Sequence, residues 1–263
     1  MTAEPGLKPP LEVLGVNVAR VTMSQCLDLI LGWCLRPGSD SPRTVFTANP
    51  EMIWASRRDG DLSAVLDRAS LVVADGIGVV LASRILGKPV PERLPGIDIL
   101  SRLLEIGRRK DLRPFFVGAR PEVMDRLPLA LNSLFPDLKA VGFHHGYFDL
   151  QDPYTISSLA DGITRSGANL LVSGMGVPRD QIFLEGCRGR LPGVGSAIGV
   201  GGSLDVMAGA VPRAPGWMRR AGLEWLYRLA REPSRLRRQA ALPCFFAGVL
   251  TQAIGQRLPL GRR

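Results

Sequence analysis

The segment LVVADGIGVVLASRILG, residues 71–87, decides how the whole chain is read. Four apolar residues run straight into a lone carboxylate, Asp75, which is followed by Gly76 and Gly78. A short apolar run, a glycine turn and then a longer helical pattern predict a buried strand over 71–75 and a helix over 77–86. Burying a carboxylate is costly, so Asp75 needs a reason to stand there. It is either a cap for the following helix or a general base at the mouth of a pocket, where the glycines would let a substrate approach the backbone. A partly desolvated carboxylate has a raised pKa suited to base chemistry. The local sequence favours neither reading.

The same unit recurs along the chain. Strands are expected at 11–18, 43–48, 71–75, 113–118, 138–143, 168–173 and 194–200. Helical patterns occupy 22–35, 50–58, 61–69, 77–86, 97–110, 121–135, 154–166 and 178–190. This alternation predicts an α/β fold, a largely parallel sheet with helices on both faces, Rossmann-like in kind. Five strands end in similar small-residue turns: FTANP, VADGIG, FVGARP, VSGMGVP and IGVGGS. Ligands of open α/β sheets bind outside the carboxyl ends of the strands, so these turns are expected to gather on one edge.

The 263 residues suffice for one large core with an appendage. Cys26, Cys34, Cys187 and Cys244 are scattered and contain no CxxC pair, as expected for reduced, buried thiols in a cytosolic protein. The opening MTAEPGLKPP lacks a signal-peptide pattern, and no apolar run is long enough for a membrane span. The net charge of +9 is concentrated at one end. From Pro212 onward there are eleven arginines against two acids, Glu224 and Glu232, whereas residues 1–211 are balanced. The expected organisation is therefore an α/β catalytic core over 1–211 and a basic helical appendage over 212–263. The appendage reads as helices over 216–231 and about 233–255. The stretch Ala240 to Ala253 reads as an interfacial amphipathic helix interrupted by Pro243.

Strict nucleotide signatures are missing. GMGVPR lacks the third glycine of the dinucleotide fingerprint, and no Walker lysine pattern occurs. Asp59-Gly60-Asp61 is a literal D-x-D, but it lies between helices, with Gly60 placed to end one and Asp61 to cap the next. His144 and His145 are adjacent and on a strand face opposite ways. No metal site is expected. In TVFTANPEMIW, Asn49 has the form of an N-cap before Pro50 and Glu51. Thr47 stands at the strand's end, and the helix start offers N–H groups suited to an anion; cap and ligand site are compatible.

Six stretches in order, LEVLGVNVARVTMSQ, TANPEM, ADGIGVVLASRILGKPVPERLPGIDIL, FFVGARPEV, GMGVPRDQIF and GVGGSLDVMAGAVPRAPGWMRRAGLEWLYRLAREPSRLRR, resemble the WecG/TagA/CpsF family of bacterial glycosyltransferases. The resemblance implies metal-independent, cofactor-free transfer of a sugar from a UDP donor to a polyprenyl-diphosphate-linked sugar, peripherally on the cytoplasmic face of the membrane. It further implies self-association and an appendage that completes the active site there. Deleting 212–263 is expected to abolish activity and leave the core folded.

Carried over by position, Asp75 matches the family's proposed base, and Thr47, Asn49 and Arg93 match pocket residues. Arg228, Arg235 and Arg238 match arginines thought to reach the donor diphosphate. One turn departs from the pattern: where the family usually reads G-x-P-K-Q-E, this chain has Gly176-Val177-Pro178-Arg179-Asp180-Gln181. Asp180 and Gln181 are therefore the substrate-contact candidates there.

N-acetylmannosamine is the expected donor sugar, joined in β-linkage to undecaprenyl-diphosphate-linked N-acetylglucosamine in teichoic acid or polysaccharide assembly. N-acetylmannosaminuronic acid and glucose are the alternatives; a uronic acid would want a cation such as Arg120 or Arg179. Two rivals stand outside the family. An oxidoreductase lacks its fingerprint here. A membrane or nucleic-acid binding module leaves Thr47, Asn49 and Asp75 without a joint purpose, and no nucleic-acid partner is expected.

Overall fold

A computed structural model describes residues 7–36, 38, 41–233 and 236–257. It opens with an antiparallel hairpin, β1 (Lys8–Val13) and β2 (Val16–Arg20), where the sequence suggested one strand. Val13 pairs with Val16, and both loop residues, Leu14 (φ 51°) and Gly15 (φ 92°), are left-handed. This is the two-residue loop that matches strand twist. Leucine at a position favouring asparagine or glycine conceals it in the sequence.

The remaining strands form one parallel sheet of order β4-β3-β8-β7-β5-β6. They are β3 (Arg43–Ala48), β4 (Leu71–Ala74), β5 (Pro114–Gly118), β6 (Gly142–His145), β7 (Leu170–Gly174) and β8 (Ser196–Gly199). Successive strand residues point to opposite faces, and both faces are buried. Val45, Val73, Phe116, Val172 and Ile198 pack with α1 (Met23–Leu35), α5 (Gly96–Gly107), α6 (Pro121–Leu134) and α9 (Ser203–Met207). Phe46, Ala48, Val72, Ala74, Leu171 and Ala197 pack with α2 (Pro50–Ser56), α3 (Gly60–Arg68), α4 (Ile77–Ile85), α7 (Pro153–Arg165) and α8 (Arg179–Gly186). The Rossmann-like α/β expectation holds. Edge strand β6 starts four residues later than expected because its GFHH sequence is only half-buried.

The C-terminal helices depart further from expectation. The stretch 216–231 is two helices, α10 (Gly216–Arg220) and α11 (Glu224–Arg231), separated at Gly222. Gly222 has φ 74°, and a Cβ there would lie 3.1 Å from Ile77 of α4. After α12 (Leu236–Gln239), α13 (Ala241–Arg257) runs through Pro243 without a break. That proline lies in the first turn, where no intrahelical N–H is required. Phe245, Val249 and Ala253, spaced by four, bury one stripe of α13 in the same core as α2 and α4. Gln252 fastens the helix to the hairpin: its Oε1 accepts the Leu14 N–H at 2.9 Å and its Nε2 donates to the Glu12 carbonyl at 2.9 Å. To the expected interfacial amphipathic helix the structure adds a face that belongs to the core, while Leu250 and Ile254 remain exposed; Cys244, expected to be buried like the other three cysteines, is exposed because it lies off that face.

Candidate active site

The five small-residue turns meet as expected, joined by the end of β6, around a cleft of about 1390 Å³. The strand ends can approach closely because glycines face one another. A Cβ on Gly118 would lie 2.5 Å from the carbonyl carbon of Gly174 on the neighbouring strand.

Asp75 follows β4, with its backbone N–H donated to the Ala48 carbonyl at 2.8 Å. It does not cap α4, whose N-cap is Gly76 and has no side-chain hydrogen bond. The nearby glycines answer needs of the chain itself. Gly76 adopts φ 94°, and a Cβ on Gly78 would meet Pro50 Cγ at 2.6 Å. Oδ2 of Asp75 accepts the N–H of Gly96, at the start of α5, across 3.4 Å. Oδ1 has no hydrogen-bond donor among the described residues. Burial of the carboxyl raises its pKa to about 6. Arg228, the Gly96 N–H and Arg93 pull it down, while Glu224 pushes it up. A carboxylate with an open oxygen and a pKa near neutrality can take a proton.

Thr47 and Asn49 line the cleft from the end of β3. Thr47 donates to the Gly199 carbonyl at 3.3 Å, and Asn49 Oδ1 accepts the Met52 N–H at 2.8 Å, so Asn49 does cap α2. Its Nδ2 donates to no described group. Arg93 stands beside Asp75 but is not part of the cleft lining; it donates to the Arg219 carbonyl at 3.2 Å and pairs with Glu224 at 3.6 Å. Arg228 lines the cleft and donates to Glu224 Oε1 at 3.0 Å. Arg235 lies outside the described residues, as does the side chain of Arg238.

At the divergent turn, the structure separates Asp180 from Gln181. Asp180 is 2% exposed, and both of its oxygens are occupied. Oδ1 accepts Ser173 Oγ at 2.6 Å and the Met175 N–H at 2.8 Å; Oδ2 accepts the N–H groups of Gly176 and Gly201, each at 3.1 Å. Asp180 thus staples the turns after β7 and β8 to each other. Gln181, also 2% exposed, lines the cleft with its Oε1 unpartnered and its Nε2 4.0 Å from Met52 Sδ. A buried amide oxygen with no donor among the described residues is costly, and a ligand's polar hydrogen would satisfy it.

Arg179 is committed to the carbonyls of Gly146 and Phe148, at 2.8 and 3.0 Å. Asp59, rather than Asp61, caps α3, with Gly60 as its first helical residue. Among the described residues no three His, Cys, Asp or Glu side chains come together as a metal-binding group. No described helix is long and apolar enough to cross a membrane. The sequence reading passed over Glu224 and Arg213, although an acid four residues before Arg228 in an arginine-rich tail was a usable signal.

A parallel sheet presenting an ionisable carboxylate and a cleft-lining arginine over glycine turns defines a group-transfer enzyme better than a dehydrogenase. Residues 11–259 match the model of the glycosyl transferase WecG/TagA/CpsF family, and the chain belongs to that family. It is a glycosyltransferase. Over 208 residues it is 35% identical to the N-acetylglucosaminyldiphosphoundecaprenol N-acetyl-beta-D-mannosaminyltransferase of Bacillus subtilis (strain 168), covering 79% of each chain. The identically named protein of Staphylococcus aureus (strain MW2) is 31% identical over 234 residues, 89% of each chain.

Proposed function

We propose that the protein transfers N-acetylmannosamine from UDP-N-acetylmannosamine to undecaprenyl-diphosphate-linked N-acetylglucosamine, with inversion and without a metal. The carrying observation is Asp75, with one oxygen that has no donor among the described residues and its pKa near 6, on the same cleft as Arg228. Asp75 takes the proton of the acceptor hydroxyl as that oxygen attacks the anomeric carbon. The bond from that carbon to the diphosphate oxygen breaks, and UDP departs with its electron pair. Attack opposite the leaving group turns an α-linked donor into a β product. Arg228, with Arg235 and Arg238 from the same appendage, offsets the charge growing on the diphosphate, a task suited to guanidinium forks.

The names of the relatives support both the acceptor and the sugar. A neutral donor is also favoured by Arg179, whose Nη2 already serves two backbone carbonyls, which leaves Arg120 of the two cations considered for a uronic acid carboxylate. A lipid-anchored acceptor and a cytosolic UDP-sugar would meet at the inner face of the cell membrane, and that is where the reading puts the reaction. Exposed Trp217, Trp225, Leu226, Leu250 and Ile254 suit an interfacial surface. Arginines in the same region add roughly 1 kcal/mol each near anionic lipid. The core over 1–211 would supply the base, and residues 212–263 the phosphate-binding cations and the membrane contact.

The decisive assay measures UDP release from a panel of UDP-sugars in EDTA, with a lipid-diphosphate N-acetylglucosamine acceptor and Asp75→Asn as control. Acceptor-dependent release from UDP-N-acetylmannosamine, lost in the control, is the expected result. Release that requires a divalent cation, or that survives in Asp75→Asn, refutes the mechanism.

A further inference from the structure

Glu224, the first residue of α11, is only 7% exposed. A carboxylate at that depth has to be paired, and three guanidinium groups surround it. Arg228, one turn along the same helix, donates to Oε1 at 3.0 Å. Arg93, from the loop between α4 and α5, approaches Oε2 at 3.6 Å, and Arg213, from the segment that enters the appendage, approaches Oε1 at 3.8 Å. Each arginine has a second tie. Arg93 donates to the Arg219 carbonyl, Arg213 pairs with Asp98 in the first turn of α5 at 2.7 Å, and Arg228 borders the cleft.

Glu224 is therefore where the core, the connecting segment and the appendage meet. The charges that act on Asp75 are Arg228, Glu224 and Arg93, two of them held by the third. A plain structural tie would need only one arginine and no closeness to the cleft. Here the carboxylate holds a cleft arginine in place through an (i, i+4) contact and joins it to a core arginine beside Asp75. An unheld arginine has more rotamer entropy to lose on binding a ligand.

We propose that Glu224 is a positioning residue for the transfer reaction: it orients Arg228 toward the cleft, so that this guanidinium is held ready for the donor diphosphate. The proposal rests on the reading of Asp75 as base and Arg228 as diphosphate ligand. Its specific content is that Glu224 acts through Arg228.

The test is a double-mutant cycle on kcat/KM in the full chain, using Glu224→Ala, Arg228→Ala and the pair, with UDP affinity measured alongside. Glu224→Ala is expected to lower kcat/KM about 30-fold, as for truncating one partner of a buried charge pair, and to weaken UDP binding. Added to Arg228→Ala, it should cost nothing further. Glu224→Gln keeps an acceptor for Arg228 and should retain activity within about fivefold. Its acid limb should move to lower pH, because a like charge has left the neighbourhood of Asp75.

Losses that multiply in the double variant, or wild-type kcat/KM in Glu224→Ala, would overturn the proposal. Should Glu224→Ala fail to fold, Glu224→Asp, which keeps the charge but shortens its reach to Arg228, takes its place in the cycle with the same outcomes. Activity persisting in Asp75→Asn or in Arg228→Ala alone would instead refute the underlying site reading, so the two failures are distinguishable.

Discussion

Asp75 and Gly96 are joined by one long hydrogen bond, 3.4 Å from the Gly96 N–H to Oδ2. The glycine suits close surroundings, since a Cβ would lie 3.2 Å from Thr47 Oγ1 and 3.4 Å from Val200 Cα. The start of α5 is thereby wedged between the ends of β3 and β8, with its N–H aimed at the candidate base. A single weak donor orients the carboxylate without satisfying it, so burial dominates and the pKa sits near 6. Activity should consequently fall below about pH 6, with a one-proton acid limb in kcat/KM. A profile flat down to pH 5 would remove Asp75 from the role of base.

The same burial makes Asp75 a stability liability. Its folded pKa lies above the unfolded value of 3.8, so the native state binds more protons between the two. Stability from this group is present below pH 4 and is lost as pH rises through 6. Asp75→Asn should therefore be inactive yet more stable at pH 7.5 by about 1–3 kcal/mol, since one pKa unit corresponds to about 1.4 kcal/mol. The gain should vanish near pH 4. Thermal melts of both proteins across that range give the comparison, and a destabilised Asn variant at pH 7.5 would contradict it.

Asp180 has a similarly raised pKa, about 6, again chiefly from burial, but its substitution should act in the opposite direction. Four donors converge on its two oxygens. In Asp180→Asn one oxygen becomes an NH2 group facing backbone N–H donors, at a cost of about 2–4 kcal/mol. Gln181→Ala, by contrast, removes an unsatisfied amide, so stability should hold while KM for one substrate rises about tenfold. Urea unfolding and donor and acceptor titrations separate the two. Equal destabilisation of both variants would show that the neighbours share one structural task.

These two residues mark a limit of reading the sequence. The motif offset placed an acid and an amide at adjacent positions, and both border the cleft, but which one keeps a polar atom free for a ligand depends on the turns after β7 and β8, a long-range matter. Strand ends were legible because apolar runs stop at glycines whatever the strand order. Asn49 as a cap was legible because capping is local. The hairpin was not, since Leu14 occupies a left-handed position through the help of Gln252, 238 residues away. The charge excess of the tail was plain. The arrangement around Glu224 was not, because it draws on three separate segments.

Phe245 carries the last prediction. It is fully buried, and with Val249 and Ala253 it joins the core that contains α2 and α4. Sequence alone suggested that residues 212–263 could be removed from an intact core, but α13 is packed as one of the core's own helices. Phe245→Ala should cost about 3–5 kcal/mol, and Gln252→Ala about 1–2 kcal/mol through its two hydrogen bonds to the hairpin. Both losses should appear in a single cooperative urea transition. Truncation after residue 211 should then lower the stability of the remaining core along with its activity. A truncated protein that melts like the full chain would show instead that α13 merely rests on the core.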